Sequence, residues 1–293
     1  MKKKIMLTGF GGQLGLELQA TVPEWAQINA FDETSLNITN LAACMNEAQS
    51  LRPDWIINAA AYTDVEKAEV EPELAMRVNS GGTGNLAQAA RTWGAGMVHV
   101  STDFVFDGSC REPLDENKPV GPLNSYGASK LAGEKEMQSH LFDKAVIIRT
   151  SWLYSPYGKN FVKTILRLLK EKPFLTIIDD QIGVPTSVRS LAQVIWRAVE
   201  LELNGLFHWC DAGQCSWYQF ACEIQAQALE LGLVNEKKEI RPILARDFPS
   251  KAVRPAYSVM SQAKLAKATR TDPLPWQNEL QLVLQRLADS ELT

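Results

Sequence analysis

Short apolar runs alternate with longer stretches of helical periodicity through the first half of the chain. The runs are rich in Ile, Val and Leu, as in strands that are buried on both faces of a sheet. We predict strands near residues 3–8, 27–31, 55–63, 96–101 and 145–150. Helices are predicted near residues 14–21, 72–93 and 125–138, and another begins after an N-cap at Thr39 or Asn40. This order predicts an α/β fold with a Rossmann-type, doubly wound parallel sheet.

The pattern changes after about residue 155. Further helices are predicted near residues 160–170, 187–201, 216–231 and 275–288, and further strands near 175–178, 205–209 and 239–243. We therefore divide the chain into a dinucleotide-binding domain, residues 1–155, and a substrate-binding lobe, residues 156–293. The lobe is expected to be smaller, of mixed α/β structure, and partly interleaved with the first domain.

Composition and charge argue against several other classes of protein. The 293 residues carry a formal net charge of −4, which does not suit a nucleic-acid-binding surface. No apolar stretch approaches the roughly 20 residues of a transmembrane helix, and the first one is too short for a signal peptide. The five cysteines include no Cys-x-x-Cys pair, so no zinc site is expected. The sequence predicts a cytoplasmic protein with free thiols and with neither nucleic-acid nor membrane partners.

Three glycines, Gly9, Gly12 and Gly15, lie between the first predicted strand and the first predicted helix. Backbone N–H groups at a helix N-terminus attract phosphate, and glycines let a diphosphate approach the backbone closely. This turn is therefore a candidate site for a dinucleotide. The second predicted strand ends at Asp32, which can hydrogen-bond the adenosine ribose and would repel a 2′-phosphate. NADH or NADPH is expected as cofactor, with NADH slightly favoured.

Tyr126 and Lys130 are four residues apart on a predicted helix, so their side chains share one face. An ammonium group beside a phenol favours the phenolate, so we expect Lys130 to lower the Tyr126 pKa from about 10. Thr102 follows the fourth predicted strand, at the edge of the sheet where ligands bind. Hydride chemistry needs these groups: Tyr126 can protonate a carbonyl oxygen, Thr102 can hydrogen-bond it, and Lys130 can bind the nicotinamide ribose. His99, in the same strand, is expected to be a core residue.

Motifs along nearly the whole chain make it similar to a known family. They are GQLG (12–15), NAAAYT (58–63), STDFVFDG (101–108), YGASKLAGE (126–134), RTSW (149–152), DQIGVPT (180–186), SWYQFA (216–221) and RP (254–255). The chain resembles the dTDP-4-dehydrorhamnose reductase family, extended short-chain dehydrogenases/reductases that act on nucleotide sugars. The later motifs lie in the substrate half, which makes the resemblance specific to this family.

The resemblance implies reduction of the 4-keto group of dTDP-4-dehydro-L-rhamnose by NAD(P)H, with Tyr126 as proton donor. It implies that Gln13 and Leu14 contact the cofactor diphosphate. Asn37 and Ile38 would contact the adenine, and the nicotinamide half would be lined by Ala61, Tyr62 and Thr63. It implies contacts to the sugar from Val65, Thr102, Asp103 and Trp152. Arg254 is a candidate for the nucleotide diphosphate, since a guanidinium group matches paired phosphate oxygens.

Two departures from related sequences change what is expected of the active site. The related 4,6-dehydratases have Asp-Glu after the catalytic threonine, whereas Phe104 stands in place of the glutamate here. Without this second acid/base group, simple reduction is favoured over elimination of water. Asn37 and Asn40 replace two aspartates that are usual in the family, which changes the expected adenine contact.

The resemblance also raises the question of a metal ion. Some family members dimerise around Mg²⁺ held by glutamates, and Glu17 matches the first of these. Arg189 lies where another acidic group would be needed, and its positive charge would repel a dication. We therefore expect no metal and a monomer or weak homodimer.

Two other functions remain open at this point. The chain could reduce another nucleotide-linked 4-keto sugar, because a shared fold does not determine the substrate. It could also be a non-catalytic regulatory subunit, as is known for one relative of this reductase family. The intact set of Thr102, Tyr126 and Lys130 favours an enzyme.

Overall fold

A parallel sheet forms the centre of the protein. The computed structural model describes residues 1–291. Its strands are β1 (Lys3–Thr8), β2 (Ala26–Phe31), β3 (Trp55–Asn58), β4 (Gly96–Thr102), β5 (Ala145–Thr150), β6 (Leu153–Tyr154), β7 (Phe174–Ile178), β8 (Ile182–Gly183), β9 (Thr186–Ser187), β10 (Gly205–His208), β11 (Cys215–Ser216) and β12 (Glu239–Ile243). Within the described residues, the central sheet has six strands in the order β10–β5–β4–β3–β1–β2, and all of its neighbouring strands are parallel.

The helices connect these strands and cover both faces of the sheet. They are α1 (Gln13–Ala20), α2 (Leu41–Leu51), α3 (Val65–Ala68), α4 (Pro72–Met76), α5 (Thr83–Trp93), α6 (Ser125–His140), α7 (Phe161–Glu171), α8 (Val188–Glu200), α9 (Trp217–Glu230), α10 (Ala263–Thr269) and α11 (Trp276–Glu291). A π-helical turn, Arg77–Gly82, joins α4 to α5, and 3₁₀ turns span Asp103–Val105 and Ala245–Asp247. None of the described helices is long and apolar enough to span a membrane.

Successive side chains of the strands pack into two separate cores. In β1, Ile5 and Leu7 join the core beneath α1 and α8, whereas Met6 joins the core beneath α2, α5 and α6. Because both faces are buried, the strand needs a continuous apolar run rather than an alternating one. The predicted class, a doubly wound parallel α/β sheet, is thereby confirmed.

The second half of the chain contributes to the same sheet. β10 pairs with β5, and α8 covers one face through buried residues such as Leu191 and Ile195. The remaining elements form a smaller lobe of α7, α9 and α11 with short strand pairs β7–β12, β8–β11 and β6–β9. The division at residue 155 stays a prediction, and residues 292 and 293 of the proposed lobe lie outside the described residues.

Some local elements differ from the prediction or were not predicted, among them α3, α10 and the short strands β6, β8, β9 and β11. In the predicted segment 55–63, which opens from a strand into a loop, the strand ends at Asn58, and the predicted helix 72–93 is interrupted by the π-helical turn. α10 was not predicted. The spacing of apolar residues does not predict where a strand or helix ends, since the ends also depend on hydrogen bonds with residues that are distant along the chain.

Candidate active site

The glycine loop lies where the strand order of the sheet reverses, between β1 and β3. Gly9 has a φ of +80°, and a Cβ atom there would lie 2.5 Å from the carbonyl carbon of Ala59. A Cβ atom at Gly15 would lie 2.2 Å from the Gly9 oxygen. Both positions therefore require glycine. The resulting close turn leads into the N-terminus of α1 and fits a dinucleotide diphosphate, which needs free N–H groups and close backbone approach.

Gln13 and Leu14 begin α1, as the cofactor prediction requires. The Gln13 Oε1 atom accepts hydrogen bonds from Ser155 Oγ at 2.8 Å and from Asn160 Nδ2 at 2.9 Å. The carboxamide oxygen is thus used within the protein, and Leu14 is buried. The parts of these residues that suit a diphosphate are their backbone N–H groups.

Asp32 follows β2 at the same edge of the sheet. Its Oδ1 atom accepts hydrogen bonds from Thr34 and Ser35, including Ser35 Oγ at 2.7 Å. The bonds from Ser35 and then those from Thr34 lower the pKa of Asp32 to about 2. The carboxylate is therefore charged at neutral pH and oriented beside the loop.

The proposed adenine-contacting residues lie a few positions further on. The Asn37 Oδ1 atom accepts from the backbone N–H of Thr39 at 3.0 Å and from its hydroxyl at 2.8 Å. Ile38 is buried, and its carbonyl oxygen accepts a hydrogen bond from Asn85. The Asn40 side chain caps α2, as predicted.

The loop of Ala61, Tyr62 and Thr63 is tied to the helix that carries Tyr126. Asn79, buried in the π-helical turn, accepts from Tyr62 N–H at 2.8 Å and donates to the Tyr62 carbonyl at 3.0 Å. Its Nδ2 atom also donates to Ser129 Oγ at 2.9 Å. The predicted nicotinamide-contacting loop and α6 are thus held together by one amide side chain.

Thr102, Tyr126 and Lys130 come together at the carboxyl edge of the sheet. Thr102 ends β4, and its hydroxyl donates to the Asp103 carboxylate at 3.1 Å. Lys130 is buried and donates from Nζ to the Val100 carbonyl oxygen at 2.6 Å. Tyr126 packs edge-to-face against Phe104, with ring centroids 5.8 Å apart. The structure therefore assembles on two neighbouring elements the three groups that the sequence singled out.

The predicted lowering of the Tyr126 pKa is wrong. Burial raises the pKa of Tyr126 to about 12, although a hydrogen bond with Thr102 opposes the rise. Burial lowers the pKa of Lys130 to about 8, with the Glu134 carboxylate opposing this shift. Desolvation disfavours the charged form of each group and is the largest cause of both shifts. At neutral pH the phenol is protonated.

Asp103, a predicted sugar contact, is buried beside Thr102. Burial raises its pKa to about 6, against the effect of hydrogen bonds from Ser258 and Thr102. Its Oδ2 atom has no hydrogen-bond partner among the described residues. The carboxyl group therefore retains capacity for a further hydrogen bond.

Residues 250–254, which include the proposed diphosphate contact Arg254, are hydrogen-bonded to α3. Arg254 donates from one guanidinium nitrogen to the Glu66 carboxylate at 2.8 Å. Glu66 follows Val65 on α3, and its carboxylate also accepts from Ser250 Oγ and Lys251 N–H. Glu66 thus holds Arg254, the predicted diphosphate contact, beside Val65, a predicted sugar contact.

Trp152 combines an unusual backbone conformation with a stacked ring. Its φ is +46°, which a bulky L-residue rarely adopts. The indole lies parallel to that of Trp217, with centroids 3.5 Å apart and planes 9° apart. Backbone strain of this kind concentrates at functional sites, which agrees with a sugar-contacting role for Trp152.

The comparisons with known proteins assign the chain to a family. The model of the RmlD substrate binding domain family matches residues 2–289. The chain belongs to this family. Among curated relatives, the dTDP-4-dehydrorhamnose reductase of Escherichia coli strain K12 is 37% identical over 292 residues, with 97% of each chain covered. The name of this relative is that of the reductase family that the sequence motifs indicated.

Solved structures show how closely the fold is shared. The dTDP-4-dehydrorhamnose reductase of Bacillus anthracis in complex with NADP is 39% identical, with a TM-score of 0.93, and covers 98% of this chain and 100% of that chain. UDP-glucose 4-epimerase of Thermus thermophilus, in complex with NAD, is 20% identical, with a TM-score of 0.82 and coverage of 97% and 98%. The epimerase shares the fold alone.

In this member of the RmlD substrate binding domain family, Glu17 and Arg189 form ion pairs within the protein. These are the positions that correspond to the magnesium site of some family members. The buried Glu17 carboxylate accepts two 3.0 Å hydrogen bonds from Arg286. Arg189 pairs with Glu279. A guanidinium group thus neutralises each carboxylate, so the donor set does not fit a cation. No cluster of three or more His, Cys, Asp or Glu side chains suited to a metal occurs within residues 1–291.

Two residues that position the site were not found from the sequence. Asn79 gave no signal, because a π-helical turn has no distinctive apolar period. Asn124 caps α6 through its Oδ1 atom and donates from Nδ2 to the Val253 carbonyl at 2.8 Å. An asparagine directly before a helix is a known N-cap signal, so this one could have been recognised. His99 is a buried core residue, as predicted.

Proposed function

We propose that this chain reduces the 4-keto group of dTDP-4-dehydro-L-rhamnose with NAD(P)H and releases dTDP-L-rhamnose. The main support is the convergence of Thr102, Tyr126 and Lys130 beside a dinucleotide-type glycine loop, in a chain of this family. The two reductases reported above, from Escherichia coli and Bacillus anthracis, carry this activity in their names, and the second was solved with NADP.

The chemistry follows from the protonation states. NAD(P)H supplies a hydride to the C4 carbon when it is bound. The protonated Tyr126 phenol donates its proton to the C4 oxygen, and the Thr102 hydroxyl hydrogen-bonds the same oxygen. Lys130 keeps a positive charge below about pH 8, which stabilises the phenolate left behind. With its pKa above neutral pH, the Tyr126 phenol carries the proton that it donates.

Reduction is favoured over dehydration by the environment of the phenol. Elimination of water needs a further acid/base group beside the sugar. The side chain after Asp103 is Phe104, whose ring packs on Tyr126. Since this ring cannot carry a proton, the geometry supports a single proton transfer.

Both nicotinamide cofactors are proposed to serve, with NADH at least as good as NADPH. The charged Asp32 carboxylate, oriented by Thr34 and Ser35, would repel a 2′-phosphate. Titration of the enzyme with NADH and NADPH measures this directly, and a strong preference for NADPH would contradict it. A monomer or weak homodimer is proposed for the free enzyme, which sedimentation analysis would test.

The proposal is tested by mixing enzyme, NADH or NADPH, and dTDP-4-dehydro-L-rhamnose, and following the nicotinamide absorbance. Loss of absorbance with formation of dTDP-L-rhamnose is expected. Tyr126→Phe should lower kcat by roughly 10²- to 10⁴-fold, the range of general acid catalysis, and keep cofactor binding. Tyr218→Phe, a change on α9 in the second lobe, is the matched control and should leave kcat unchanged.

Two results would count against the proposal. Wild-type enzyme that consumes neither cofactor would exclude this reaction. Full activity of Tyr126→Phe would remove the proton-donor role from this residue. Turnover of other nucleotide-linked 4-keto sugars at equal rates would leave the reaction type intact but change the substrate.

A further inference from the structure

Gln181 is a buried polar side chain without an evident structural role. The residue is 7% exposed, and its Oε1 atom has no hydrogen-bond partner among the described residues. Buried acceptors are almost always paired, because an unpaired one loses its hydrogen bonds to water without replacement. An acceptor left free in this way points to a donor that arrives with a ligand.

Gln181 lies directly before a short strand that packs against Trp152. This strand is β8, in which Ile182 pairs with Ser216 and Gly183 with Cys215. A Cβ atom at Gly183 would lie 2.6 Å from the Trp152 indole, so the indole covers the backbone there. Gln181 is two residues from this position along the chain.

A neighbouring segment connects this position with Arg254. The backbone N–H of Ile182 donates to the Ala256 carbonyl at 2.9 Å, and the Ser258 N–H donates back to the Ile182 carbonyl at 2.9 Å. Ala256 is two residues after Arg254. The segment that begins at Gln181 is thus bonded to the chain that follows Arg254 and packs against Trp152, which stacks on Trp217.

We propose that Gln181 recognises the hexose ring of the substrate, with its carboxamide oxygen accepting a hydrogen bond from a ring hydroxyl next to the glycosidic carbon. This inference rests on the proposed function, in which Trp152 contacts the sugar and Arg254 the diphosphate. The glycosidic carbon joins these two parts, and a hydroxyl is the donor beside it.

The chemistry of the substrate distinguishes the sugar from its other parts. A diphosphate at neutral pH offers only acceptors, so it cannot satisfy the Gln181 oxygen. The pyrimidine base has an imide N–H donor and the deoxyribose has a 3′-hydroxyl, but both are attached beyond the diphosphate, away from the hexose that Trp152 is proposed to contact. The hydroxyl-bearing ring is the part of the ligand that fits both the position and the acceptor.

Calorimetric binding of dTDP-L-rhamnose and of dTDP to wild-type enzyme and to Gln181→Met tests the assignment. We expect Gln181→Met to bind dTDP-L-rhamnose about 10-fold more weakly, the equivalent of one hydrogen bond, and to bind dTDP with unchanged affinity. Its unfolding temperature should not fall, because methionine has a similar size and removes an unpaired polar group. Gln181→Leu serves as a second variant if Gln181→Met does not fold.

A buried glutamine with a partner provides the matched control. The Gln225 Oε1 atom accepts from Lys238 N–H at 2.7 Å, so Gln225→Met should lower the unfolding temperature and leave both ligand affinities unchanged. Unchanged binding of both ligands by the folded Gln181 variant would overturn the assignment. An equal loss for dTDP would overturn it too, since the contact would then be to the nucleotide. Failure of wild-type enzyme to bind either ligand would count against the proposed function itself.

Discussion

A buried ion pair between α6 and the central sheet offers a quantitative test of the structure. Arg149 on β5 donates to the Glu134 carboxylate from two nitrogens, at 2.8 and 2.7 Å. The side chains are 4% and 3% exposed, respectively. Ser101 Oγ donates to the same carboxylate at 2.5 Å. Glu134 is one helical turn beyond Lys130, so one carboxylate joins α6 to two strands of the sheet.

Replacing Glu134 by glutamine leaves the Arg149 charge buried without a counter-ion. Removal of one member of a buried pair typically costs about 3–5 kcal/mol of unfolding free energy. For a large domain, each kcal/mol corresponds to roughly 2–4 °C, so the unfolding midpoint should fall by about 6–20 °C. Substituting both partners, Glu134→Leu with Arg149→Met, should recover most of this loss, because the desolvation penalty disappears with both charges.

Thermal and urea unfolding of the single and double variants measure these differences. Glu136→Gln is the matched control on the same helix, because the Glu136 side chain is 48% exposed and its pairing with His140 is solvated. We expect a change within about 0.5 kcal/mol for this control. A Glu134→Gln variant as stable as the control would refute the view that the pair is desolvated. A double variant less stable than Glu134→Gln would refute the reasoning about the unpaired charge.

Three further predictions concern the loop, the nucleotide and pH. Gly15→Ala should abolish tight NADH binding and cost about 1–3 kcal/mol in urea unfolding, because its Cβ meets backbone atoms, whereas Gly81→Ala, in open space, should keep binding. Arg254→Met should weaken dTDP binding, measured by calorimetry, roughly 10- to 100-fold. Arg246→Met, a change at an 80% exposed side chain, should not weaken it. Equal affinities of Arg254→Met and wild-type enzyme for dTDP would exclude Arg254 as the diphosphate contact. Because the folded-state pKa of Asp103 is raised from 3.8 to about 6, its stabilising contribution is present below about pH 4 and is lost as pH rises through about 6. Thermal unfolding from pH 4 to 7 should therefore show wild type losing roughly 3 kcal/mol relative to Asp103→Asn, and parallel curves would contradict the raised pKa.

Much of the dinucleotide-binding half could be predicted from local patterns. Apolar runs bounded by glycine or helical periodicity predicted β1, β2, β4 and β5 within a residue or two. The spacing of Tyr126 and Lys130 on α6 depends only on helix geometry, so it could be predicted too. The fold class followed from the order of these elements, because alternating strands and helices form a parallel sheet.

The electrostatic state of the site could not be predicted in this way. Helical spacing predicted attraction between Tyr126 and Lys130 and hence a lowered phenol pKa. Burial has the opposite effect, and it depends on how closely β4, α6 and the 3₁₀ turn after Thr102 pack together. Desolvation is a property of this packed environment, which residue spacing does not describe.

Other features depend on residues that are distant along the chain. β10 joins the sheet only because residue 205 reaches β5, and Arg254 meets Glu66 across 188 positions. The unpaired oxygen of Gln181 becomes apparent only when its surroundings are complete. The sequence by itself determined the strand and helix order of the central sheet, the glycine loop and the spacing of Tyr126 and Lys130 on α6, since these arise from local geometry and residue chemistry. Only the tertiary structure decided their protonation, partners and burial, because these depend on which distant segments exclude water from them.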